Sequence, residues 1–195
     1  MSARAVFLDR DGIINELFYL PELGLVDSPL NPDQFKLSQN AAKAVRTLNE
    51  LGFKVIVVSN QPAIAKGKMT RELFEKISSK MRKELQVEGA HLDGEYYCFH
   101  HPNAIIEEYK MNCGCRKPKP GLFFRAASEY NLDLLESFCV GDGLIDVKAG
   151  KACGCKTILI GTMKCDMCRL MDEENAHPDY VAENLLEAVR IVREK

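Results

Sequence analysis

Val6-Phe7-Leu8-Asp9-Arg10-Asp11-Gly12-Ile13-Ile14-Asn15 is the stretch that decides the fold: an apolar, strand-sized run stops on two carboxylates, with a glycine directly behind them. Alternate residues of a strand point to the same side, so Asp9 and Asp11 are expected to face one pocket at the strand's C-terminal end. Gly12 lets the backbone turn tightly and approach a ligand. In an open parallel α/β sheet that end of the strands is where ligands bind. Two carboxylates held together need a shared proton or a cation. Mg²⁺ suits them, because it takes oxygen ligands and usually binds substrate phosphate as well. The competing reading is an ordinary Asp-rich surface turn. The rest of the chain decides between the two.

Composition narrows the class. A chain of 195 residues, 46% hydrophobic and 28% charged, can bury a substantial core and has no disordered bias. Its formal net charge of −2 makes no global case for nucleic acid or an anionic membrane as partner. The apolar runs are strand-sized, too short to cross a bilayer as a helix. Met1-Ser2-Ala3-Arg4 leads straight into the first strand with no signal-peptide core. Eight cysteines without a secretion signal point to metal ligands or free thiols in a reducing compartment. The expectation is a cytoplasmic protein, one domain over residues 1–195, acting as a monomer.

Strands and helices alternate along the chain. After the first strand, residues 16–36 read as a long loop rich in Pro, Asp, Asn and aromatics, and loops of that length are usually functional or disordered. It follows the carboxylates directly, so it is read as a substrate-facing loop. Helices are predicted over 38–51, 70–87, 120–130, 145–152 and 184–193, and strands over 53–58, 93–98, 137–140 and 156–160. The segment 162–177 reads as polar and irregular. This alternation implies right-handed crossovers and a central parallel sheet covered on both faces, a Rossmann-like three-layer α/β sandwich.

Four strand ends then carry polar or charged groups: Asp9 and Asp11, Ser59 and Asn60, the Arg116-Lys117 region, and Asp142 with Asp146 behind it. A parallel sheet gathers such ends along one edge. Their chemistry suits phosphoryl transfer, in which a carboxylate attacks phosphorus and cations, hydroxyls and backbone N–H groups hold the oxygens.

A second signal lies between the third strand and the helix at 120. Cys98-Phe99-His100 is separated by twelve residues from Cys113-Gly114-Cys115. Three thiolates and one imidazole form a closed tetrahedral set for structural Zn²⁺, which would pin a loop (98–115) too polar to fold alone. His101 adjoins a ligand and is read as a surface residue. Cys165-Asp166-Met167-Cys168 is a C-x-x-C without a matching partner pair, while Cys139, Cys153 and Cys155 read as buried.

Together FLDRDG (7–12), VVSNQ (57–61), CRKPKPG (115–121) and VGDGLID (140–146) resemble the four motifs of the haloacid dehalogenase-like phosphatases. The resemblance implies Asp9 as nucleophile, Asp11 as acid and base, Ser59 on the phosphoryl group and Lys117 neutralising it. It implies a Mg²⁺ site from Asp9, the main-chain carbonyl of Asp11, and Asp142. Asp146 could support that site or simply be a helix N-terminal carboxylate. YYCFHHP with CGCRKPKPG is similar to the subgroup of heptose 1,7-bisphosphate 7-phosphatases and histidinol-phosphatase domains, which lack a large cap domain. That likeness implies Arg10, Asn60, Gln61 and Arg116 at the substrate, and a small phosphorylated metabolite as partner. A heptose bisphosphate losing its 7-phosphate comes first and histidinol phosphate second. Two departures from the subgroup stand out: the loop after the first motif is longer, and Gly143 occupies a position where a substrate-contacting lysine is common. A phosphotransferase or mutase, a zinc-stabilised binding module and a polynucleotide 3′-phosphatase are the other classes weighed. The lack of a cap argues against the first, the retained Asp9 and Asp11 against the second, and the acidic balance against the third.

Overall fold

β1 (Ala5–Leu8) is buried at every residue, and it becomes the centre of the molecule because only a strand flanked on both edges and covered on both faces can hide such a run. The computed structural model describes residues 2–22, 24–162 and 165–195. Residues 1, 23, 163 and 164, two of them in the segment 162–177 and one in the loop 16–36, lie outside the described residues.

The other strands of the main sheet are β4 (Lys54–Asn60), β5 (Gly94–Cys98), β6 (Phe138–Gly141), β7 (Lys156–Ile160) and β8 (Tyr180–Ala182). Between and around them run β2 (Phe18–Leu20), β3 (Leu25–Asp27), α1 (Ala41–Glu50), α2 (Arg71–Val87), α3 (Gly121–Tyr130), α4 (Leu144–Cys153), α5 (Cys165–Glu174) and α6 (Leu185–Glu194). The strand order is β5-β4-β1-β6-β7-β8, with every pairing parallel. The chain therefore builds outward from β1 to one edge, returns, and builds to the other. The strand order reverses beside β1, the point of an open α/β sheet at whose carboxyl ends ligands bind. Leu8 pairs with both Val57 and Val140, so Asp9 emerges beside the ends of β4 and β6.

The two faces of the sheet are separately filled. Val6, Leu8, Val55 and Val57 pack with α1, α2 and α6, through Val45, Leu48, Phe74, Ile77, Val189 and Val192 among others. Ala5, Phe7, Ile56 and Val58 pack with α3 and α4 on the opposite face. This is the expected three-layer α/β sandwich. Thr70 caps α2 by accepting the Leu73 N–H at 3.2 Å, and Asn184 caps α6 through the Glu187 N–H at 3.1 Å. Among the described residues, no helix is long and apolar enough to cross a membrane.

Three expectations change. The segment 16–36 is not loop throughout: β2 and β3 form an antiparallel hairpin with Leu20 opposite Leu25, turning through Gly24 at φ +61°. Its Asp27 reaches Lys68 at 2.6 Å, tying the hairpin to the turn after β4. The segment 162–177 contains α5, a largely exposed and polar helix in which, among the described residues, only Met171 is deeply buried. A sixth strand, β8, is added at the edge; at three residues it is too short to show alternation. Asp179, just before it, accepts the Thr157 N–H at 2.7 Å and the Thr157 hydroxyl at 2.8 Å, which locks β8 to β7.

Phe74 is 1% exposed and meets Tyr97 and Phe99 edge-on at 4.7 and 4.9 Å. Phe74→Ala should cost about 3–5 kcal/mol, read as a lower denaturation midpoint at unchanged slope. A loss below about 1 kcal/mol would mean that this aromatic cluster is not a packing centre.

Candidate active site and cysteine–histidine cluster

The Asp9 N–H donates to the Val140 carbonyl at 3.0 Å, carrying the ladder one residue past β1. The first free side chain beyond it meets Lys117, whose Nζ lies 3.0 Å from Asp9 Oδ1 and 2.6 Å from Asp146 Oδ1. Lys117 also donates to the Val58 carbonyl at 2.7 Å and is almost wholly buried. Burial opposes its charge, but Asp9 and Asp146 more than reverse that, and its pKa is raised. Asn60 holds the Lys117 main chain from both sides, donating to its carbonyl at 3.1 Å and accepting its N–H at 3.0 Å. An asparagine at the end of β4 thus sets where the lysine stands.

Asp142, at the end of β6, and Asp146, in the first turn of α4, complete an acidic group. One oxygen from each of Asp9, Asp142 and Asp146 lies within 4.8 Å of the others. Gly12 makes room for this: at φ +82°, a Cβ there would lie 2.1 Å from Asp142 Oδ2. Gly141 does the same for Asp146, whose Cγ would lie 2.3 Å from an added Cβ. Burial pushes Asp142 up to about 6, with the charge of Asp9 adding to it. Asp146 is also pushed up to about 6 by burial, against the pull of Lys117. Three carboxylates facing one ammonium leave two negative charges over, which a hard divalent cation with oxygen ligands would balance. Asp146 therefore belongs to the group more firmly than its sequence position indicated. The Asp11 carboxylate does not.

The Asp11 side chain turns instead toward Arg10, Asn15 and Gln61. Arg10 Nη2 is 2.9 Å from Asp11 Oδ1, Asn15 Nδ2 is 3.0 Å from the same oxygen, and Gln61 Nε2 is 2.6 Å from Oδ2. Burial alone would raise the Asp11 pKa, but Arg10 and the two amides outweigh it and lower it. Gln61 Nε2 also donates to Ser59 Oγ at 3.1 Å, so the serine stands next to the Asp11 carboxylate. Two residues expected at a substrate are enclosed: Arg10 is 0% exposed and Gln61 2%. A guanidinium at the end of an apolar strand cannot remain unpaired, and its nearest anion is the carboxylate one residue along. Arg116 stays half-exposed at the rim and donates from Nη1 to the His100 carbonyl at 3.2 Å.

Cys98, His100, Cys113 and Cys115 come together as their spacing predicts. Cys98 Sγ lies 3.5 Å from Cys113 Sγ and 3.3 Å from Cys115 Sγ, and the latter two are 3.0 Å apart. His100 Nδ1 is 3.3 Å from Cys115 Sγ and 3.8 Å from Cys98 Sγ. A tetrahedral zinc site with bonds of about 2.3 Å has sulfur–sulfur edges of about 3.8 Å, so the donor set fits that ion with small outward shifts. Cys98 is the last residue of β5 and pairs with Asn60, so the cluster is fastened to the strand that also anchors Lys117. His101 points elsewhere, accepting the Asn103 N–H at 3.0 Å. Cys139, Cys153 and Cys155 are buried as expected; Cys168 is exposed, and the side chain of Cys165 lies outside the described residues.

The chain is similar to known proteins along its length. The HAD-hyrolase-like family model matches residues 114–188. A D-glycero-beta-D-manno-heptose-1,7-bisphosphate 7-phosphatase of Escherichia coli (strain K12) is 35% identical over 196 residues, covering 100% of this chain and 96% of that protein. The enzyme of that name from Salmonella typhi is 39% identical over 165 residues, covering 84% of this chain and 83% of its own. The chain belongs to the haloacid dehalogenase-like phosphatases. Among solved structures of this family, a D,D-heptose 1,7-bisphosphate phosphatase from B. bronchiseptica, complexed with magnesium and phosphate, superposes with a TM-score of 0.80 at 26% identity, covering 98% of this chain and 99% of that one.

Gly12 is the cheapest place to damage a site of this family without touching a charge. Gly12→Ala should lower phosphatase activity at least about 10²-fold while leaving the chain folded, because a misplacement of about 1 Å is enough to do so. Circular dichroism and phosphate release check this together; unchanged activity would mean that Asp142 is not held by the bare turn.

Proposed function

We propose that this chain is a Mg²⁺-dependent phosphomonoesterase that removes the 7-phosphate of D-glycero-D-manno-heptose 1,7-bisphosphate through an aspartyl-phosphate on Asp9. The observation that carries the reaction is the buried Lys117, held 3.0 Å from Asp9 at the point where the sheet order reverses. The substrate is supported by full-length relatives of that name. On this reading residues 1–195 act as one domain, with residues 16–36 facing the substrate.

Asp9 attacks phosphorus in line, and the bond from phosphorus to the sugar oxygen breaks. Ser59 and Lys117 hold the phosphoryl oxygens, and Asp11 gives a proton to the departing oxygen. Asp11 rests ionised beside Arg10, so the proton it passes on reaches it first from water or from a monoprotonated phosphoryl group, an uptake that the phosphoryl anion arriving next to it favours. Asp11 then takes a proton from the water that attacks the phosphorus, which frees phosphate and restores Asp9. Arg116 at the rim is suited to an anionic or hydroxylated part of the substrate. Mg²⁺ held by Asp9, Asp142 and the Asp11 carbonyl, with Asp146 close by, would neutralise phosphoryl charge. Cys98, His100, Cys113 and Cys115 would hold Zn²⁺ and stiffen the loop that leads into Arg116 and Lys117. Eight cysteines in the sequence, with no disulfide among the described residues, suit a reducing, cytoplasmic setting.

Phosphate release with Mg²⁺ should favour a heptose 1,7-bisphosphate over histidinol phosphate, other sugar phosphates and a 3′-phosphorylated oligonucleotide by at least about 10² in kcat/KM. Asp9→Asn should release none while staying folded. Preference for histidinol phosphate would move the substrate; turnover without free phosphate would revive the phosphotransferase reading.

The raised pKa values near 6 of Asp142 and Asp146 set a pH dependence for the metal. Their folded-state pKa lies above the ordinary value, so the free protein holds these protons more tightly and loses that stabilisation as pH rises through about 6. Mg²⁺ competes with the same protons, so its affinity should weaken several-fold from pH 7.5 to about pH 5. Calorimetric titration at both values reads this, and equal affinities would remove the pair from the metal site. Cys113→Ser should lower zinc content and Tm together; full zinc in the variant would remove the cluster as its site.

A further inference from the structure

We infer that Arg10 and Gln61 are positioning residues that clamp the acid–base carboxylate of Asp11 and set its distance from Ser59. This rests on the phosphatase reading and extends it to two residues that the resemblance put on the substrate. Asp11 Oδ1 accepts from Arg10 Nε at 3.1 Å, Arg10 Nη2 at 2.9 Å and Asn15 Nδ2 at 3.0 Å. Its Oδ2 accepts from Arg10 Nη2 at 3.1 Å and Gln61 Nε2 at 2.6 Å. Five contacts from three side chains leave this carboxylate one orientation. The clamp is itself held: the Arg10 guanidinium lies 5.4 Å from the centroid of the Phe74 ring, inside the aromatic cluster under α2. With 0% exposure, Arg10 has no surface to offer a substrate.

Gln61 does a second job. One amide nitrogen donates both to Asp11 and, at 3.1 Å, to Ser59 Oγ. The proton donor and the hydroxyl that would hold the phosphoryl group therefore share one donor, and their spacing is fixed before a substrate arrives. The Gln61 main chain is in turn tied to β5, its N–H donating to the Cys98 carbonyl at 2.7 Å. Loss of either clamp residue should free Asp11 to leave its place. The harm then falls on proton transfer: Asp11 fails to protonate a basic leaving oxygen in the first step, and fails to deprotonate water in the second.

Leaving-group dependence separates this from a general loss of structure. Wild type, Gln61→Ala and Arg10→Lys would be assayed on a sugar phosphate, whose leaving alkoxide needs a proton, and on p-nitrophenyl phosphate, whose leaving phenolate does not. Gln61→Ala removes a neutral amide and strands no charge, so it remains informative if Arg10→Lys does not fold. The clamp predicts a fall in kcat of about 10²-fold on the sugar phosphate with KM within about twofold. On p-nitrophenyl phosphate it predicts a burst of about one phenolate per site, then slow turnover as the aspartyl-phosphate waits for its base. A raised KM with unchanged kcat would return both residues to substrate binding and overturn the clamp. An equal loss on both substrates with no burst would overturn it too. If wild type releases no phosphate from either substrate, the phosphatase reading falls and the clamp with it.

Discussion

A buried ammonium between two carboxylates is the constraint on which the rest of this molecule depends. Lys117 cannot be charged in the protein interior unless Asp9 and Asp146 stand beside it, and neither carboxylate is comfortable there without it. Satisfying that triad requires a loop, a strand end and a helix N-terminus, from distant parts of the chain, to converge within hydrogen-bond reach. The sheet order makes this geometrically simple: β1 is central, and the ends of β4 and β6 lie on either side of it. The excess of negative charge that remains is what the chemistry uses, since it calls for a divalent cation and, through that cation, a phosphoryl group.

Positional control is layered behind the triad. Asn60 fixes the main chain of Lys117, and Cys98, directly across from Asn60, begins the cysteine–histidine cluster whose last member is two residues before the lysine. The cysteine–histidine loop and the Asp9–Lys117 pair are thus one mechanical unit. On the other side of the crevice, Arg10 is buried against Phe74 and turns its charge on Asp11. Asp27 of the β2–β3 hairpin and Lys68 form a salt bridge joining the segment after the first motif to the turn after the second.

Strong patterns in the chain were legible and weak ones were not. An apolar run ending in Asp9-Arg10-Asp11-Gly12 reads as a central strand and its site only once the polar ends of the other strands join it, since alone it is also an ordinary Asp-rich turn. Paired Cys/His spacing is more direct, as metal ligands leave a short-range signature. Asp146 was ambiguous because a carboxylate in the first turn of a helix is ordinary on electrostatic grounds alone; only the position of Lys117 distinguishes it. The roles of Arg10 and Gln61 were hidden for a related reason, since residue type cannot say whether a polar group faces the crevice or a neighbouring carboxylate. β8 escaped because a three-residue edge strand is too short to show alternation, and α5 because its largely polar composition reads as an irregular segment.

The most direct test of this account is to catch Asp9 with phosphate on it. The protein would be acid-quenched during turnover of a heptose 1,7-bisphosphate with Mg²⁺, reduced with borohydride, and its peptides sequenced by mass spectrometry. Reduction of an aspartyl-phosphate converts that residue to homoserine, and the account predicts the conversion at Asp9 alone. Phosphate released with Asp9 unconverted under every quench time, or conversion at another carboxylate, would contradict it.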